Sequence, residues 1–249
     1  MTMEDAVLQQ LLDDRNKSFW DEIHEVFVPT VLLCESRHYA FHLFEKKAQF
    51  FVPVSNLSKE AFTHELMHIW LRSKNIFITN FLLNRLREEP LLYWSFTDNM
   101  FEQLGYWLEH VKMLPYFIGA GFKKEKFTED YDQYKCSPMH WQIMLAGMSN
   151  PSKKVPLPCL DLYVSRFFAM KTCCNEWFDY TPYFEAMQNI RPELFQILDR
   201  FWNLWLQFDI ERYDPVACSY KPFTAQLMHD LGKWAVEAIH TRQNKSAAA

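Results

Sequence analysis

No stretch of the chain is apolar for long enough to span a bilayer. No block of Lys or Arg breaks the mixed charge pattern, and the formal net charge is -5. Nucleic acid and anionic membrane surfaces are therefore not expected as partners. The first twenty residues lack a leader's apolar run, with Asp13, Asp14 and Arg15 where one would lie. The six cysteines include no C-x-x-C spacing, and Cys173-Cys174 reads as a buried helical pair rather than a disulfide or metal site. These absences fit a reducing cytoplasm. No internal repeat and no low-complexity segment is present.

What the 249 residues do contain is apolar and aromatic: 49% hydrophobic and 17% aromatic, with 22 Phe and 9 Trp. That is ample material for a packed core. Residues 3–26 carry Leu8, Leu11, Leu12, Phe19, Trp20 and Ile23 at helical spacing, and Pro29 ends the region. Three short runs at 30–34, 39–44 and 49–54 then read as strands of an antiparallel meander. Helices are expected at 59–74, 80–88 and 95–114, with Pro115 ending or kinking the last. Gly105 in that helix suits a close backbone approach. After a polar connection at 119–135, a short helix is expected over 141–148. Residues 150–158, with three prolines, form a loop. The remaining pattern is helical at 160–176, 182–189, 192–208 and 222–241.

The fold class that follows is α+β and predominantly helical, with a small antiparallel sheet packed on an active-site helix and a helical C-terminal half. Residues 1–125, which hold the motif described next, are the candidate catalytic region. Residues 126–246 form a helical region packed against it as one compact unit. The alanines 247–249 read as an appended tail.

Chemistry concentrates in His64-Glu65-Leu66-Met67-His68. Residues four apart lie one above the other on a helix, so His64 and His68 can offer two imidazoles to one ion. Glu65 can reach a water on that ion. Ser58 is a suitable N-cap, and no Gly or Pro interrupts 59–74. A catalytic zinc takes three protein ligands. Leu71 and Lys74 stand where a metzincin extension would place Gly and His, so the third ligand must come from elsewhere. Glu109, in an aromatic-rich helix 41 residues after His68, is the first choice, and Glu102 the second. His110, Tyr106 and Tyr116 are candidates to contact a ligand or a developing oxyanion, and His229 is a weaker one.

The H-E-x-x-H helix followed by a glutamate helix resembles the zincin metallopeptidases of gluzincin type, over about residues 30–118. Position 113 is Met and position 108 is Leu, so the resemblance is not to the thermolysin kind. The resemblance implies one zinc ion held by His64, His68 and Glu109, with Glu65 as general base. It also implies a peptide or protein substrate. An alternative of another class is a non-catalytic zincin-like module that binds a protein through Phe201, Trp202, Trp205 and Phe208. The 3–4 spacing of those four aromatics equally suits a core.

Overall fold

The computed structural model describes residues 2–149, 155–217 and 219–246, the last helix from 238 onward by its backbone alone. The chain is predominantly helical with one three-stranded sheet, as the residue pattern implies. Its elements are α1 (Met3–Leu11), α2 (Lys17–Val26), β1 (Val28–Cys34), β2 (Ala40–Phe44), β3 (Lys47–Pro53), α3 (Lys59–Ser73), α4 (Ile78–Glu88) and α5 (Pro90–Tyr93). Then come α6 (Asp98–Gly119), a 3-10 turn (Lys124–Lys126), α7 (Pro138–Met148), α8 (Leu157–Lys171), α9 (Thr181–Ile190), α10 (Pro192–Gln207) and α11 (Lys221–Ser246). No described helix is long and apolar enough to cross a membrane.

The residues divide into two compact units, though not at 125. The first holds 1–77 with 109–132, the second 78–108 with 133–249, and α6 contributes to both. The tail at 247–249 and most of the expected loop, residues 150–154, lie outside the described residues. Residues 157 and 158 already belong to α8.

In the first unit, the single helix expected over 3–26 is two. Asn16 is fully buried at the break, and its amide donates to Leu11 O (2.9 Å) and Thr63 Oγ1 (2.9 Å). A buried amide with partners on either side replaces helix bonds and ties the break to α3. The sheet is mixed rather than an antiparallel meander: its order is β1-β3-β2, with β1 parallel and β2 antiparallel to β3. Pairing follows burial, not chain order. β3 buries Ala48, Phe50 and Val52 almost completely and takes the centre. Pro29, which cannot donate to a ladder, sits in the edge strand β1. Glu45, with φ of 53°, makes the tight turn between β2 and β3.

α3 lies against this sheet and α2. Phe62 meets Phe50 and Trp20 at ring separations of 5.5 and 6.2 Å, and Trp70 meets Phe19 at 5.3 Å. Ser58 caps α3 as expected, accepting from Ala61 N at 3.2 Å. Asn75, with φ of 61°, ends it. α6 does not stop at 114. It runs through Pro115 to Gly119, with Met113 and Phe117 at 0% exposure on either side of the proline. Their burial holds the turn together where Pro removes a backbone bond.

The second unit is helical, and its aromatics are its core. Phe201, Trp202, Trp205 and Phe208 are all buried, and Trp205 donates to Leu108 O at 3.0 Å. They offer no exposed stripe to a partner. Cys173 and Cys174 lie past the end of α8 and are half-buried, not a buried helical pair. Gly105 does mark a close approach. A Cβ there would lie 2.7 Å from Thr79 Cα, which is main chain and cannot turn aside. Gly105→Ala is therefore expected to lower stability by about 1–3 kcal/mol in denaturant titration. An unchanged midpoint would show that the two helices part freely.

Candidate metal centre

His64 and His68 lie one turn apart on α3, and their Nε2 atoms face each other at 3.2 Å. The third ring beside them is His110 of α6. The His64–His110 and His68–His110 ring centroids are 4.7 and 5.2 Å apart. One ligand nitrogen from each of the three lies within 4.8 Å of the others, so the group could hold a metal ion. Nitrogens bound tetrahedrally at zinc distance stand about 3.3 Å apart, so modest ring rotations would close the set. Phe127 and Phe41 wall the cluster. The Phe127 ring is 4.9 Å from His64 and 5.4 Å from His110, and Phe41 of β2 is 5.5 Å from His68.

Glu109 is not in that group. The structure sets it on the outer side of His68, with Oε2 2.7 Å from Nδ1 and Oε1 accepting from Arg72 at 2.6 Å. Adjacent residues on a helix point about 100° apart. His110 can therefore face the cluster while Glu109 faces the back of His68. Glu109 has 0% exposure. Burial pushes its pKa up, but the Arg72 guanidinium and the His68 hydrogen bond outweigh that and hold it below the usual value. An ionised carboxylate accepts from Nδ1–H and so leaves the Nε2 lone pair of His68 turned toward His64.

His64 is neutral at ordinary pH, since burial above all, with the neighbouring His68 acting in the same direction, pushes its pKa down to about 3. The Phe127 backbone acts weakly in the other direction. It makes no well-formed bond, because Nδ1 of His64 is buried without a hydrogen-bond partner. Glu65, half-buried beside His64, has its pKa raised to about 7. Burial is the main cause; His68 opposes it and Glu129 adds to it.

Of the other expected site residues, Tyr116 packs its ring on Trp70 at 4.8 Å. Glu102, Tyr106 and His229 are exposed members of the second unit. The sequence offers His110 as a candidate contact to a ligand or an oxyanion rather than as a ligand itself, and it does not single out Arg72. Both had a signal: Arg72 continues the His64–His68 row at the next i+4 position, and His110 is the nitrogen donor beside the favoured carboxylate. Comparison of the chain with protein-family models, curated proteins and solved structures gives no match.

Proposed function

We propose that the first unit is a zinc-dependent hydrolase centre in which His64, His68 and His110 hold one ion and Glu65 is the general base, with a peptide bond as the substrate group. The observation that carries this reading is the convergence of three imidazoles beside a carboxyl whose pKa stands near neutrality. The donor set fits zinc. Three imidazole nitrogens suit its borderline softness, and a set of three leaves one position open. Two Nε2 atoms that face each other at 3.2 Å are also more readily satisfied around a cation than without one.

Bound there, zinc would supply Lewis acidity toward a carbonyl and a more acidic water. The chain's own groups do the rest. Glu65 accepts the proton of the attacking water and returns it to the leaving nitrogen, which suits a carboxyl poised near the working pH. Glu109 and Arg72 fix the ring of His68 from behind. Phe41 and Phe127 restrict water around the reacting atoms. The free thiols of Cys34, Cys136, Cys159 and Cys173 support a cytoplasmic setting.

Zinc titration of the demetallated protein is expected to show one ion per chain and to lose it in His64→Ala. Release of peptide fragments from an unfolded protein substrate should require that ion. A chain with no affinity for zinc would overturn the reading.

A further inference from the structure

We propose that Arg72 decides the make-up of the ligand set, keeping Glu109 off the metal so that three neutral imidazoles hold it. The proposal rests on reading the histidine cluster as a metal site. Both Glu109 oxygens are engaged behind His68, Oε1 by Arg72 at 2.6 Å and Oε2 by His68 Nδ1 at 2.7 Å. The guanidinium is itself fixed. It donates to Ile76 O at 2.8 Å, where α3 has just ended, and lies 5.6 Å from the Phe77 ring centroid. Arg72 is 5% exposed and Glu109 0%.

A carboxylate at that depth stays ionised only beside a positive charge. Arg72 supplies the charge on the side away from the cluster. Without it, an ion held by the histidine group would be a cation within reach, since Glu109 lies one residue from His110. Charge makes the choice consequential. Three neutral ligands leave a divalent ion its full double charge, whereas a carboxylate ligand cancels half of it and weakens its pull on a carbonyl or a water. Position 72 thus tunes the ion without touching it. The i+4 spacing that pairs His64 with His68 also puts Arg72 within reach of the carboxylate behind them.

The test uses cobalt(II) in the whole chain, with its visible absorption reporting the ligand set. Wild type and Arg72→Lys, which keeps the cation, should share one spectrum. Arg72→Met should shift it and change zinc Kd by about 10–100-fold, the usual effect of losing an outer partner. A folded Arg72→Met that binds cobalt with the wild-type spectrum would overturn the proposal. Should Arg72→Met not fold, X-ray absorption of the zinc-loaded wild type decides: three imidazoles support the proposal, and two overturn it. A wild-type chain that binds neither metal overturns the site reading itself, a different outcome from an unshifted spectrum.

Discussion

Glu65→Gln is expected to cut turnover by about 10²–10⁴-fold, the range for loss of a general base, while zinc still binds at one ion per chain. The same change should stabilise the metal-free protein at neutral pH. Glu65 holds its proton up to about pH 7 in the fold, against an ordinary value of 4.5. Below pH 4.5 the folded and unfolded chains are both protonated there, and the substitution gains nothing from this source. Between 4.5 and about 7 the unfolded chain ionises first, so the folded state binds more protons and wild-type stability falls as pH rises. Above that window the gap is constant. Screening at a partly exposed carboxyl reduces it to on the order of 1–2 kcal/mol. Gln has nearly the same shape and no charge to lose. Denaturant unfolding of metal-free wild type and variant should therefore coincide near pH 4.5 and separate by pH 8. Zinc should shrink the difference, since a cation beside Glu65 favours its ionised form. A variant with no stability gain would show that the carboxyl carries no such strain, and one with unchanged turnover would remove Glu65 from the chemistry.

The same residue shows what the sequence can and cannot reveal. α3 was legible because everything that specifies it is local: the Ser58 cap, an unbroken 59–74, and two histidines four apart. α6 was legible as far as Pro115, where the sequence leaves an end and a kink both open, and the burial of Met113 and Phe117 that carries it on to Gly119 is a tertiary fact. The strands were found, but not their order. Val28–Cys34 has the same local preference beside either partner, and the buried face of β3 makes the choice. The break at Asn16 was hidden in the same way, since its partner Thr63 lies 47 positions away.

At the site the geometry differs from the expected ligand set in one position: Glu109 lies behind His68, and His110 stands with His64 and His68. Two adjacent residues, Glu109 and His110, could each supply a third ligand, and composition favoured the carboxylate because a buried charge needs a cation. The structure provides that cation from the protein itself, as Arg72. A periodicity argument places side chains on faces but does not sum their charges. That sum decides which of two neighbouring residues is left facing the histidine group.

Glu109→Ala and His110→Ala should consequently fail in opposite ways. Removing Glu109 strands the Arg72 guanidinium, 6% exposed, without its counter-charge and His68 without its outer partner. Breaking a buried pair from one side costs about 3–5 kcal/mol, a large part of a domain's 5–15 kcal/mol. Thermal unfolding should show it in metal-free protein, where no ligand argument applies. His110 is half-buried and, on this reading, a direct ligand of the ion. His110→Ala should cost the metal-free fold about 1 kcal/mol and the zinc Kd more than the 10–100-fold that loss of an outer partner brings. Were Glu109 the ligand instead, the pattern would invert: its loss would remove the metal first, and His110→Ala would leave affinity near wild type. The two variants together, each measured for unfolding without zinc and for zinc affinity, separate the residue that binds from the residue that holds the binder in place.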